Sequence, residues 1–282
     1  MNSHPYFGAK ALLSTKHQKG KIIAPHFSEF LSMSIEEVYV DTDQLGTFSG
    51  EIERTGTARE VAIRKARLGI DKSTCSLGIA SEGTIGADPY VPFFNSDIEV
   101  LAFVDAELGI EIVESYRSFE IVALTRTVSS TDDLDEILVK ADFPNHKLIV
   151  RTESKPINFC LKGITERHIL IAAVEEGIRS DPFKRVVIES DLRAHCSPSR
   201  QKNIAETARK LAERISNQCP ECSTPGWGIV TYLKGLPCQS CGEISTEAFK
   251  TEIYGCVKCA HQSEGKMLAA SIDPSRCNWC NP

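Results

Sequence analysis

Apolar positions along this chain recur in two rhythms, one of two residues and one of three to four, and the places where the rhythm changes mark out its elements. Residues 9–15, AKALLST, are an apolar run closing on small hydroxyl side chains, and IEEVYVDTD at 35–43 alternates as a strand does. A glycine-bearing turn, LGTFSGEIERTG, leads into TAREVAIRKARLG, where Thr57 and Glu60 have capping-box spacing and Ala58, Ala62 and Ala66 share one helical face. Gly69 is expected to end that helix. SLGIASEGTIG then reads as a buried strand entering a glycine-punctuated loop, and EVLAFVD with GIEIVESY as a hairpin or two neighbouring strands, where the sheet core is made.

From Thr131 the pattern turns to strands alternating with helices: DDLDEIL and TERHILIAAVEEGI are helical, HKLIVR and RVVIESD are β-branched strands. A final helix is signed by Ser197 at the N-cap, Pro198 at the first helical position, and a stripe of Ile204, Ala208, Leu211, Ala212 and Ile215. The expected fold class is therefore α/β: a layered domain with a central mixed sheet over residues 1–216, followed by a small C-terminal module over 217–282.

Composition changes this picture mainly at the C-terminus. The chain has 282 residues, 41% hydrophobic and 25% charged, enough for one large core and a satellite. No apolar run reaches the roughly 18 to 20 residues of a membrane span, and the first residues lack a signal-peptide core, so a cytoplasmic protein is expected. The formal charge of -6 gives no global attraction to nucleic acid or anionic lipid, and nucleic acid is an unlikely partner.

Of 11 cysteines, eight form four Cys-x-x-Cys pairs: Cys219/Cys222, Cys238/Cys241, Cys256/Cys259 and Cys277/Cys280. Two such pairs complete one tetrahedral zinc site, so eight thiolates predict a double zinc ribbon with two structural ions and no open coordination position for catalysis. The pairs can combine sequentially, nested or crossed. CQSCGEISTEAFKTEIYGCVKCAH reads as a self-contained hairpin, which favours nesting, with sequential pairing close behind. Acidic side chains outnumber basic ones after residue 218, and each thiolate tetrad adds two negative charges, so a protein partner or second subunit suits this module better than a nucleic acid.

Three polar segments stand out in the larger domain: Lys16, His17, Lys19 and Lys21; Glu51, Glu53 and Glu82; and Glu189, Asp191, Arg193, His195 and Arg200. Carboxylates suit Mg²⁺ and cationic side chains suit phosphate oxygens, which points to phosphate chemistry without a Walker loop. The order Thr15 with Lys19, Glu53 to Gly56, Glu60 with Ala62, Lys65 and Ala66, then Ala80-Ser81-Glu82-Gly83, resembles the inosine/xanthosine triphosphate pyrophosphatases over residues 10–105. That resemblance implies Glu53 and Glu82 as metal ligands and Lys19 and Lys65 as phosphate contacts. The chain departs from it at His17, at Val61 and at Ser81-Glu82.

The chain as a whole is similar to an uncharacterised bacterial family with a Ser81-Glu82-Gly83 loop, an Asp191-Leu192-Arg193-Ala194-His195 turn and the terminal knuckles. The expected activity is a Mg²⁺-dependent phosphohydrolase acting on a nucleotide or other small phosphorylated molecule, with Glu53, Glu82, Asp191, Arg193 and His195 catalytic, His195 as general base, and Lys19 and Lys65 binding phosphate. The alternative is a non-enzymatic interaction or scaffold protein whose zinc ribbons grip a partner or a second copy.

Overall fold

The computed structural model describes residues 4–16, 18–40, 55–71, 73–132 and 134–282. Strands β1 (Lys10–Ser14), β2 (Ser34–Val38), β3 (Leu77–Ala87), β4 (Asn95–Asp105) and β5 (Ile110–Ser118) form a five-stranded mixed sheet in the order β2-β1-β3-β4-β5. β1 runs parallel to both β2 and β3, while β3, β4 and β5 are antiparallel neighbours. The period-two alternation of β4 sorts its side chains to two faces. Leu101 and Phe103 join Ile23, Phe27 and Leu31 of α1 (Gly20–Leu31) and Ile204, Leu211 and Ile215 of α5 (Pro198–Ser216) on one side. Val100, Ala102 and Val104 meet Ala62 and Ala66 of α2 (Ala58–Ile70) on the other. Helices thus cover both faces, which is the layered mixed α/β arrangement the sequence predicts.

Two local expectations shift. Helix α1 is absent from the periodicity reading because Pro25 and a polar opening obscure its stripe of Ile23, Phe27 and Leu31. Gly69 does not end α2, which continues to Ile70. It is instead a point of close approach, since a Cβ there would lie 3.3 Å from Val38 Cγ2 and closer still to the Ser14 hydroxyl. The capping box at Thr57 and Glu60 forms as read, with Glu60 N donating to Thr57 Oγ1 at 3.2 Å and Thr57 N to Glu60 Oε2 at 2.8 Å.

Between β5 and α5 the chain builds a second sheet. β6 (Thr125–Val128), β7 (Leu148–Thr152), β8 (Cys160–Ile164) and β9 (Val186–Ser190) are antiparallel in the order β6-β9-β7-β8. Helices α3 (Leu134–Lys140) and α4 (Arg167–Ser180) cover it through Leu134, Ile137, Leu170 and Val174, packed on Leu148, Val150, Val186 and Ile188. Beyond α5, β10 (Gly228–Pro237), β11 (Ile244–Gly255) and β12 (Gln262–Met267) form a three-stranded antiparallel sheet. No described helix is long and apolar enough to cross a membrane.

Candidate functional site

The eight knuckle cysteines gather into two tetrads, Cys219, Cys222, Cys256 and Cys259, and Cys238, Cys241, Cys277 and Cys280. This is the crossed arrangement, and the expectation of nesting is corrected by strand length. Cys238 and Cys241 sit at the β10–β11 turn, and Cys256 and Cys259 at the β11–β12 turn, separated by the 12 residues of β11. At about 3.3 Å per residue that is roughly 40 Å, far too long for the two knuckles to share an ion. Half of the 24 residues that read as a closed hairpin, Cys238 to His261, are one extended strand.

The tetrads fit a metal closely. Sγ–Sγ distances are 3.8 Å for Cys219–Cys259 and 3.6 Å for Cys222–Cys256, and 3.8 Å for Cys238–Cys280 and 3.7 Å for Cys241–Cys277. A tetrahedron with metal–sulfur bonds of about 2.3 Å has edges of about 3.8 Å, whereas a disulfide needs about 2.05 Å. Backbone N–H groups already face the sulfurs, from Ser240 to Cys238 at 3.4 Å and from Lys258 to Cys256 at 3.3 Å. Such donors favour the thiolate: the Thr224 hydroxyl and N–H pull Cys222 down to about 6, and the N–H groups of Cys241 and Ser240 pull Cys238 down to about 7. Both sites could therefore hold a metal ion with soft ligand preference.

A second polar concentration lies in the five-stranded sheet. The chain passes from β1 through α1 on one face to β2, then back through α2 on the other face to β3 on the far side of β1. Strand order reverses at β1, and in open α/β sheets the crevice beyond the carboxyl ends of such strands is where ligands bind. β1 pairs with β3 only as far as Ser14 opposite Ala80, so Ser81, Glu82 and Gly83 continue past its end. Lys19, at the N-cap of α1, turns into this space and donates to Ser81 Oγ at 2.7 Å. Lys65 of α2 meets Glu82 Oε1 at 2.5 Å. Lys19 is 7% exposed, and burial, with Arg200 next in weight, pushes its ammonium down to about 8 despite the attraction of Glu99 and Glu82.

Three of the sequence-derived residues, Lys19, Lys65 and Glu82, are thus brought together. Glu51, Glu53 and His17 lie outside the described residues. Asp191, Arg193 and His195 form a separate turn after β9, where Arg193 clamps Asp191 through Nε at 2.9 Å and Nη2 at 2.5 Å. Arg193 and its own hydrogen bonds hold the fully buried Asp191 carboxyl below its usual range even though burial opposes it. His195 is exposed, its imidazole lowered by partial burial and by Arg193. Glu189 pairs with Arg151 at 3.2 Å, away from this turn's clamp.

Arg200 links the turn to the crevice. Its Nη1 donates to Leu192 O at 2.6 Å and its Nε to Glu99 Oε1 at 2.5 Å. Gly83 stands opposite Glu99 in the β3–β4 register, and a Cβ there would lie 2.7 Å from Glu99 Oε1, so glycine is what admits the pair. Two β4 carboxylates, Asp97 and Glu99, and Asn203, which donates to Asp97 Oδ2 at 2.8 Å, were not anticipated. The available signal is the alternation Asp97, Glu99, Leu101, Phe103, which places two acids on a face that buries apolar side chains. Burial first, then the neighbouring Glu99 charge, pushes Asp97 up to about 7.

The sequence profile of a family described as Domain of unknown function (DUF6671) matches residues 65–282. No curated protein matches the chain. A crystal structure of a nucleoside-triphosphatase / dITP/XTP pyrophosphatase from Mycobacterium abscessus is similar over 38% of this chain and 71% of that one, at 17% identity and a TM-score of 0.26.

Proposed function

The chain belongs to the family described as Domain of unknown function (DUF6671), and we propose that it is a zinc-stapled phosphohydrolase acting on a nucleotide or other small phosphorylated molecule. The observation that carries this reading is the meeting of Lys19, Lys65 and Glu82 where the strand order reverses. Two ammonium groups and the N-terminus of α1 converge on one crevice, a setting that favours phosphate oxygens. Mg²⁺ is commonly held by one or two carboxylates with the remaining positions left to water and phosphate, and Glu82 with Glu53 would supply them. An ion held there would supply Lewis-acid withdrawal of charge from the phosphoryl group.

The chain's own groups do the rest. Lys19, Lys65 and the neighbouring Arg200 neutralise charge as it grows on the phosphate, and Arg200 fixes the turn that carries Asp191, Arg193 and His195. His195, whose imidazole partial burial and the neighbouring Arg193 shift toward its neutral form, would take the proton of the attacking water as general base. In the two cysteine tetrads we assign zinc, closed by four sulfurs and therefore structural.

A panel of nucleoside triphosphates and other phosphate esters, incubated with the protein and Mg²⁺, tests the assignment. Release of phosphate or pyrophosphate that falls at least about 10²-fold in Glu82→Gln is expected. Release equal to that of Glu82→Gln with every compound overturns the enzymatic reading. It would leave the scaffold reading, which one observation favours: Tyr232, Phe249, Met267 and Trp279 of the cysteine-bearing module stand at 39%, 50%, 62% and 74% exposure.

A further inference from the structure

We propose that Ser199, His146 and Asp142 form a second reactive centre, in which a serine hydroxyl, its base and an orienting carboxylate accept an acyl group from an ester carbonyl. His146 is 4% exposed and stands between the other two. Its Nδ1 lies 2.8 Å from Asp142 Oδ2 and its Nε2 lies 2.9 Å from Ser199 Oγ. The backbone N–H of Ser199 also reaches Nε2, at 3.1 Å. An N–H can only donate, so Nε2 carries the lone pair and Nδ1 the hydrogen that faces the carboxylate. That is the tautomer a base needs in order to take a proton from Oγ.

The surroundings support a reactive oxygen. Ser199 is the second residue of the 19-residue helix α5, whose positive end lies behind its side chain. Val122 N donates to Ser199 Oγ at 3.2 Å, a contact that strengthens as negative charge develops there. Asp142 is itself held, accepting from Asn145 Nδ2 at 3.0 Å, and this bond together with His146 keeps its carboxyl below the ordinary range. Ser199 and residues 121–124 beside it are partly exposed, which leaves a carbonyl room to approach. Capping α5 would need only the Ser199 N–H on the imidazole. A hydroxyl on the same nitrogen and a carboxylate on the opposite one go beyond that need.

The step balances with an ester and water alone. Oγ attacks the carbonyl carbon as its proton passes to His146 Nε2, the bond to the alcohol oxygen breaks, and the departing alkoxide takes that proton. Water, deprotonated by the same nitrogen, then cleaves the Ser199 ester, releasing the carboxylic acid and restoring the hydroxyl. Ser199 and His146 are the catalytic residues, and Asp142 is a positioning residue.

The probe is 4-nitrophenyl acetate with the intact, metal-loaded chain. An initial burst approaching one nitrophenolate per protein, with the acetyl group located on Ser199 by peptide mass spectrometry, is expected. Ser199→Ala should remove the burst, and Asp142→Asn should slow acylation about 10²-fold while the melting temperature holds. A structural cap would move the melting temperature and leave no adduct. Absence of an adduct on Ser199 in folded wild-type protein, or an undiminished burst in Ser199→Ala, overturns the proposal. Should the alanine variant fail to fold, the position of the acetyl group in the wild-type chain decides.

Discussion

The five-stranded domain and the cysteine-bearing module solve the problem of cohesion in opposite ways. In the first, nineteen buried apolar side chains from α1, α5, the sheet and the segments flanking them make one continuous core. In the second, the buried cluster is Leu236, Cys238, Ile272 and Cys277, half of it cysteine, while Val230, Leu233, Ile244 and Phe249 remain 40 to 54% exposed. Burial of apolar surface stabilises by about 25 cal/mol per Å², and a three-stranded sheet open on so much of its surface has little of it to gain. What the module lacks in core it makes up in sulfur, with four strong ligands at each end of one long ribbon.

The largest expected effect breaks this contrast outright. Structural zinc contributes on the order of 10 kcal/mol to the folding of small metal domains. Stripping the metal with a chelator, or changing Cys238→Ser, should release up to two ions or one ion respectively and leave residues 217–282 open to protease, while the helical signal of the α/β domain persists. Zinc assay and limited proteolysis read it. Coincident loss of both regions would show that the module staples the whole molecule.

The next effect lies inside the α/β domain. Arg200 and Glu99 are 2% and 0% exposed, and Glu99 Oε2 has no hydrogen-bond partner among the described residues. Arg200→Leu leaves a buried carboxylate without its hydrogen-bonded counter-charge and should cost about 3–5 kcal/mol in denaturant unfolding, with metal content unchanged.

The smallest effect separates the two regions by sign. Asp97 titrates near 3.8 in an unfolded chain and is pushed up to about 7 in the folded one, so between these values the folded state holds a proton that the unfolded state has lost. Its contribution is whole below about pH 3.8 and gone above about pH 7, a fall of at most roughly 4 kcal/mol. The module runs the other way, since acid protonates its thiolates and expels the metal. Unfolding of the α/β domain should therefore become easier as pH rises from 4 to 7 and lose that slope in Asp97→Asn, while metal retention improves over the same interval.

Much of this was legible beforehand, and what was hidden has physical causes. Residue spacing announces both tetrads because C-x-x-C is a local constraint of the backbone, and it announces α2 because the Thr57–Glu60 box is local too. Lys19, Lys65 and Glu82 could be singled out, although their meeting depends on a strand order that periodicity does not encode. Partnering between knuckles was misjudged because a 12-residue strand and a compact turn look alike until the strand has a neighbour. Asp97 and Glu99 escaped, and Arg200, though singled out, could not be matched to Glu99, because a buried charge is recognisable only with its partner and these two lie 101 residues apart along the chain. The Ser199, His146 and Asp142 grouping was invisible because Ser199 reaches His146 from 53 residues away along the chain.

The crossed partnering of the knuckles interlocks two loops, one spanning residues 219 to 259 and the other 238 to 280. Neither ring can be excised without cutting the other, so the ribbon has no half that closes by itself. On a growing chain the first ring can shut once Cys259 has emerged, while the thiols at the hairpin tip must wait for Cys277 and Cys280. During that interval Cys238 and Cys241 stand unprotected against oxidation, and, with a metal in both tetrads as proposed, its supply at the moment of synthesis would become part of how this protein matures.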